Sequence, residues 1–374
     1  MITLLIIIVV LCAILEIISL KRDPEKLEFD YAISVPCTEP GVPFNVQAIV
    51  TNKSRVPVSY LSVREVFPAA ADVPEHLVYR LRDNDVFIKK VCRLKSSQRK
   101  KLTMETSIEK RGVHTFRSDS MEFGDFLGFR EILRKIPFFH EIVVYPVRID
   151  YPKLTDALGR FCGDIAAKRY LIRDPILTVG SREYTGREPM KEIHWSQSAH
   201  RGELMVREFD YNRQLSVSVI LSVYGIDPKD ENEVDECCVA ARAVCETMIK
   251  TGITVKFFSN ARLQRKSVIG NWKCEVSAGR METLLESLGR ASCVACGSFE
   301  KLLEYAMLES EFEDAFIIIL PPGNKQGTEA IDRLRRLNGQ EVMIVDMSDF
   351  SNPDTSLAGD IPDLSSTFVK EAAS

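Results

Sequence analysis

The chain has 374 residues, 45% of them hydrophobic and 27% charged, with 19 Gly and 17 Pro. That length suits two or three domains, and those fractions exclude a disordered, collagen-like or polytopic membrane protein. Lys and Arg number 49 against 53 acidic residues, a net charge of −4, which leaves no global positive field to hold nucleic acid.

Residues 1–20 read MITLLIIIVVLCAILEIISL and carry no charge before Glu16. A helix rises about 1.5 Å per residue, so twenty residues reach roughly 30 Å, one hydrocarbon core. A cleaved signal peptide wants a basic n-region and a small-x-small cleavage site. Neither is present, which favours a permanent transmembrane anchor. Lys21, Arg22 and Lys26 follow the apolar run and no basic residue precedes it. The positive-inside tendency then predicts a single-pass cell-membrane protein with its C-terminal body cytoplasmic. The ten cysteines show no disulfide-framework spacing, in keeping with reduced thiols.

Residues 28–147 predict an antiparallel β-sandwich. Phe44, Val46, Ala48 and Val50 alternate with more polar neighbours, as do Leu102, Met104, Thr106 and Ile108, and Pro40-Gly41, Pro57, Pro68 and Gly112 punctuate the runs. Residues 148–213 form a connecting segment. From 214 to 350 strands alternate with helices: Leu215 to Val223 is β-like, Val234 to Ile249 is a helix stopped by Gly252, and Ala315 to Leu320 is a buried strand. That rhythm predicts a parallel, three-layer α/β domain. The Ser-, Asp- and Pro-rich tail 351–374 is expected to be flexible.

Four stretches carry chemistry to weigh. Lys89, Lys90, Arg93, Lys95, Arg99, Lys100 and Lys101 give seven positive charges with no acid between them. They suit an anionic-lipid surface at about 1 kcal/mol per basic residue, or a solvated hairpin edge on which Lys discourages strand aggregation. Cys293 and Cys296 have the spacing of a thiol-redox pair or half a zinc site, but no second CxxC or HxxxH accompanies them. Pro321 to Gly327 sits where a phosphate loop would, without the GxxxxGK[ST] spacing, and reads as a plain turn. His194 lies beside Ser196 and Ser198, yet no GxSxG elbow supports a hydrolase.

The densest segment is REYTGREPMKEIHWSQSAHRGELMVREFD, residues 182–210. It resembles the signature of the domain-of-unknown-function family numbered fifty-eight, whose members are membrane-anchored and related to von Willebrand factor A domains. Arg182, Glu183, Tyr184, Gly186, Ile193, Trp195, Ala199, Leu204, Val206, Arg207 and Glu208 match its pattern, whereas Arg187 and Lys191 depart from it. The resemblance implies a transmembrane helix, a β-sandwich and then a von Willebrand A-like Rossmannoid domain in 214–350. It implies partnership with a MoxR-type AAA ATPase and its client proteins. A metal-binding A domain carries Asp-x-Ser-x-Ser after its first strand. Here Ser222, Tyr224 and Ile226 hold those positions, so no metal and no cofactor is expected. The expected function is a non-enzymatic, membrane-tethered scaffold, with the signature residues and His194 organising the domain junction and Trp195 buried within it. The alternatives are an enzyme using His194 or Cys293 and Cys296, and an anionic-lipid sensor using the basic run.

Overall fold

The structure, a computed structural model, describes every residue except 1, 21–23, 83–84, 125–130, 172–177, 187, 210–215, 228–229, 267–269, 278, 311–314, 322–330, 333–334, 336–340 and 347–374. The turn expected at 321–327 and the tail 351–374 lie outside the described residues but for Pro321. The chain divides into two compact units. The first holds Met1–Val147 with Leu263–Lys266 and Leu285–Ala291; the second holds the remainder.

The first unit begins with helix α1 (Ile2–Leu20) and continues as nine strands: β1 (Leu27–Ile33), β2 (Cys37–Thr38), β3 (Phe44–Asn52), β4 (Val58–Pro68), β5 (Val78–Arg82), β6 (Asp85–Leu94), β7 (Arg99–Thr106), β8 (Gly112–Gly124) and β9 (Glu131–Val144). They form two sheets, ordered β1-β3-β7 and β2-β9-β8-β4-β6-β5. Alternation drives the arrangement: Phe44, Val46, Ala48 and Val50 of β3 face inward, as do Leu61, Val63 and Phe67 of β4. Both sheets close over one hydrophobic core. Aromatic edges stitch it across the gap, with Phe116 of β8 lying 5.8 Å from Phe44 and 4.8 Å from Phe67.

That core contains an ion pair. Glu65 of β4 and Lys90 of β6 approach to 2.7 Å with side chains 0% and 9% exposed. Burial pushes the Glu65 carboxyl upward while Lys90 pulls it back. Tyr31 of β1 is buried beside this charge. Burial first, and the Glu65 charge second, raise its phenol far above the ordinary value.

The remaining elements are α2 (Pro152–Leu171), β10 (Thr178–Glu183), α3 (Trp195–Arg201), β11 (Met205–Phe209), β12 (Ser216–Leu221), α4 (Glu231–Lys250), β13 (Thr254–Ser259), β14 (Ala261–Leu263), β15 (Trp272–Val276), α5 (Met281–Arg290), β16 (Ala291–Ala295), α6 (Phe299–Glu309), β17 (Ala315–Leu320) and β18 (Val342–Asp346). Five of these strands make a sheet ordered β15-β13-β12-β17-β18. β12, β13, β17 and β18 pair in parallel, whereas β15 runs antiparallel to β13. Both faces are covered: Ile220, Phe258 and Ile318 pack with Leu302 and Leu303 of α6, and Val219, Phe257 and Ile317 on the opposite face are equally buried. Asp230 caps α4 and Ser298 caps α6 through their side-chain oxygens.

Three expectations are corrected here. The helix at the N-terminus forms, but among the described residues no helix is long and apolar enough to cross a membrane. The stretch ahead of Glu16 is only Ile2–Leu15, about 21 Å at 1.5 Å per residue, against a hydrocarbon core of roughly 30 Å. Single-pass anchoring, and the cell-membrane placement and cytoplasmic orientation derived from it, therefore fall. The fold class changes as well. Eighteen strands against six α-helices among the described residues, spread over five sheets, make the chain mostly β. The sheet of the second unit is mixed, not wholly parallel. Among the described residues, its β15 follows β13 through a link holding the strand β14 and no helical crossover, which parallel pairing needs. The mostly β architecture replaces the expected transmembrane helix, sandwich and von Willebrand A-like Rossmannoid domain.

Within the first unit, Arg111 Nη1 donates to the carbonyls of Leu288 at 2.6 Å and Ala291 at 2.8 Å. It thereby satisfies groups that the end of a helix leaves open. Beside it, a Cβ built on Gly289 would lie 2.6 Å from Val143 Cγ1 and 2.9 Å from the Val144 carbonyl oxygen. Gly289→Ala is therefore expected to lower stability by about 1–3 kcal/mol, read from the urea midpoint. For the buried pair, Lys90→Met alone leaves an uncompensated carboxylate and should cost about 3–5 kcal/mol. Adding Glu65→Leu should restore most of that loss in the same denaturation series.

Candidate functional site

The signature segment folds as a two-stranded ribbon with an excursion at its tip. β10 and β11 pair antiparallel, with Ser181 opposite Arg207, Arg182 opposite Val206 and Glu183 opposite Met205. The chain between them returns through a 3-10 turn at Met190–Glu192 and then α3. Four contacts hold this excursion to the ribbon. Tyr184 N donates to Leu204 O at 2.9 Å, His194 N donates to Met205 O at 2.8 Å, and Ile193 bridges Val206 and is 3% exposed. The fourth is Ser198, a buried hydroxyl that donates to His194 O at 3.0 Å and accepts from Met205 N at 2.9 Å.

His194 is the N-cap of α3, its Nδ1 accepting from Gln197 N at 3.3 Å. The helix ends at Gly202, whose φ of +76° needs a residue without Cβ. Glu188 ties the base of the excursion. Its carboxylate accepts from Thr185 Oγ1 at 2.7 Å and Thr185 N at 3.1 Å, and pairs with Arg182 Nη1 at 2.7 Å. The Thr185 hydroxyl, joined by Arg182, holds this carboxyl at about 2. Gly186 adopts φ +87° in the intervening turn.

These bonds fix the backbone and leave large apolar side chains in solvent. Met190 is 67% exposed, Trp195 60% and Leu204 46%. The expected burial of Trp195 is therefore corrected: as the first residue of a seven-residue helix it projects from the ribbon, and Ile193 takes the inward position. Arg182, Glu183 and Arg207 are exposed and Tyr184 is half-buried. The backbone of Glu208 pairs with Gly180, and its side chain and Arg187 lie outside what is described.

The other anticipated residues separate. Ser222 follows β12 at the C-terminal edge of the parallel strands, where α/β sheets place ligands at a change of strand direction. It is fully buried, and its hydroxyl accepts from Tyr224 N at 3.2 Å and Asn260 Nδ2 at 3.4 Å. Asn260 is the residue that sequence reading missed. Its Oδ1 accepts from Val223 N at 3.0 Å, its Nδ2 also donates to Gly297 O at 3.1 Å, and its own carbonyl accepts from Cys296 N at 2.7 Å. Ile226 is buried and Tyr224 is partly exposed. Among the described residues no three His, Cys, Asp or Glu side chains converge as metal ligands. Cys293 and Cys296 are half-buried and are not joined in a disulfide.

The basic run is divided between sheets. Lys89 and Lys90 lie on β6 of the six-stranded sheet, and Arg99, Lys100 and Lys101 on β7 of the three-stranded one. Lys90 points into the core against Glu65, and Lys89 lies 3.8 Å from Glu122. Only Arg93, Lys95, Arg99 and Lys101 of the seven are exposed, so the run does not present one basic face.

No family model matches the chain, and no curated protein does. Solved structures align with about a third of it. A cohesin module from a Clostridium perfringens family 33 glycoside hydrolase shares 12% identity over 31% of this chain and 96% of its own, with a TM-score of 0.24. A type II cohesin domain from the cellulosome of Acetivibrio cellulolyticus shares 6% identity over 31% of this chain and 95% of its own, also with a TM-score of 0.24. The Pseudomonas fluorescens alkylpurine DNA glycosylase AlkC shares 10% identity over 32% of this chain, with a TM-score of 0.22, and the chain spans 30% of that protein's length. Nothing in these likenesses identifies a von Willebrand A domain or a MoxR-type partner.

Glu188 gives the ribbon a pH signature. Its folded pKa of about 2 lies below the ordinary 4.5. Its contribution is therefore complete above pH 4.5 and lost as the pH falls through about 2. The Thr185 amide resonance should titrate with a midpoint near 2 in NMR spectra, and Glu188→Gln should abolish that titration.

Proposed function

We propose that this chain is a non-enzymatic docking protein that engages protein partners through the excursion of the β10–β11 ribbon. The observation that carries the reading is the exposure of Trp195 and Met190 on a backbone already held by Ser198, His194 and Glu188. A solvent-exposed Trp costs apolar hydration in the free protein, and large aromatic anchors carry much of the energy of protein interfaces. Holding the anchor on a bonded scaffold reduces the ordering entropy lost on binding. The AAA ATPase and client proteins implied by the resemblance are the partners to assay first. The Ser198 hydroxyl is committed to backbone groups on both sides, and no observation favours a nucleophilic role for it.

The chain holds two tryptophans that solution optics can separate. Trp272 is 6% exposed and donates from Nε1 to Ala261 O at 2.8 Å, so iodide-quenchable emission should come from Trp195 and vanish in Trp195→Phe. A bound partner should shield Trp195 from iodide, and Trp195→Ala should weaken binding about 30-fold or more, the roughly 2 kcal/mol of an interface hot spot. Undiminished binding by Trp195→Ala with Met190→Ala, or full quenching of Trp195 in the complex, would sink the reading.

A further inference from the structure

A cleft that the ribbon does not share lies within the first unit, on the sandwich. β1 is an edge strand that pairs only with β3 among the described residues. A cleft of about 730 Å³ runs along it, within the range of ligand sites. Glu28, Phe29 and Asp30 of β1 all line that cleft, as do the consecutive residues Arg134 to Phe138 of β9. Successive residues of a strand point to opposite faces, so a cavity lined by consecutive residues of both strands runs past their edges. The two strands face each other across it and do not pair.

β9 shows why they do not. Its register with β8 shifts between Phe138, opposite Ser118, and Lys135, opposite Ser120. Pro137 falls inside that irregularity and has no N–H to offer. The gap is crossed by Arg134 Nη1, which donates to Leu27 O at 2.8 Å, and by Phe29 against Phe138 with centroids 5.3 Å apart. Apart from the Leu27 carbonyl, which accepts from Arg134, and the Tyr31 amide, which donates to Asp30, the outer edge of β1 pairs with no strand among the described residues and lies beside an apolar floor.

The rim is basic in effect. Glu28 is ion-paired with Lys53, and the Asp30 carboxylate accepts from Tyr31 N at 2.8 Å. Arg99 and Lys135 line the same cleft, are exposed, and make no ion pair among the described residues. Four cations, Lys53, Arg99, Arg134 and Lys135, thus line the cleft against two acids, Glu28 and Asp30.

We propose that this cleft receives an extended acidic peptide segment of a partner protein, which adds a strand to the open edge of β1. Its backbone pairs with β1, its carboxylates meet Arg99 and Lys135, and its alternate apolar side chains rest on Phe29, Ile136 and Phe138. This is β-augmentation, in which edge hydrogen bonds supply affinity and alternating side chains supply selectivity.

The test uses the full chain and a fluorescein-labelled peptide of alternating Asp and Val, roughly eight residues or about 26 Å of strand. Fluorescence anisotropy should report saturable binding that weakens with added salt. The double variant Arg99→Glu/Lys135→Glu should weaken it about tenfold or more and strengthen binding of the matching Lys–Val peptide. The acidic peptide should also slow amide exchange across Leu27–Ile33. Unchanged amide protection of the buried strands β3 and β4 in the free double variant establishes that its sandwich is folded, and Trp195→Ala should leave the anisotropy unchanged, which separates this site from the ribbon. The proposal is overturned if the acidic peptide does not bind, if the double variant binds it equally well, or if β1 exchange does not slow. Equal binding of a single-stranded oligothymidylate of the same charge, with the same loss in the double variant, would also overturn it in favour of simple anion capture.

Discussion

The Glu65–Lys90 pair sets the terms on which the sandwich can fold. Two charges cannot be taken out of water unless they meet, and they meet only if β4 and β6 hold one register, Val63 opposite Lys90 and Glu65 opposite Ile88. A slip of one residue would turn Glu65 to solvent and carry Val63 and Phe67 with it. Around the pair the core is aromatic: the Lys90 ammonium lies 5.8 Å from the Phe67 ring centroid, and Phe67 leads through Phe116 to Phe44 on the opposite sheet. Register, sheet stacking and the position of Tyr31 are therefore linked through one buried charge pair.

The second unit meets the same constraint with neutral groups. At the C-terminal ends of β12 and β13, strand carbonyls and amides finish inside the protein and must find partners. Asn260 gives both ends of its amide to this task, joining Val223, Ser222 and Gly297. The position where an open sheet would offer a ligand cradle is thus occupied by the chain's own hydrogen bonds. Val223 and Ile226 fill the space beside it with apolar side chains, 1% and 6% exposed. This arrangement stabilises the loop ends.

How much of this was legible in the sequence follows from what each signal measures. Period-two alternation reports which side of a strand is buried and marks the β3 and β7 runs, whereas an unbroken apolar run marks the fully buried strand at Ala315–Leu320. It does not report pairing partners. The seven basic residues from Lys89 to Lys101 look continuous along the chain, yet the turn after Leu94 carries them from one sheet to the other, and alternation sends Lys90 inward. Composition likewise marked residues 182–210 as unusual and could not say that Ile193, not Trp195, would face the ribbon. That choice depends on a cap at His194 that starts a short helix one residue later. Asn260 left no signal at all, because a single Asn after a strand reads as a turn. The apolar N-terminus was legible as a helix, but a near-terminal Glu16 leaves only Ile2–Leu15 uninterrupted, short of a hydrocarbon core.

The edges of the sandwich show how local charge is used. An unpaired strand invites association, and proteins discourage it with short strands, cations and proline. β2 is two residues long, and β5 is five residues long with Arg80 and Arg82 exposed. β7 opens with Arg99, Lys100 and Lys101. On this reading the β7 part of the basic run, Arg99 to Lys101, protects an edge. β1 differs from the other three. It has seven residues, and its outward acids are engaged by Lys53 and by its own backbone. The proline that limits pairing lies on the facing strand β9, not on β1. An edge guarded from the opposite side is closed to a second flat sheet but remains open to a single narrow strand, and the cations at its rim decide which strand that is.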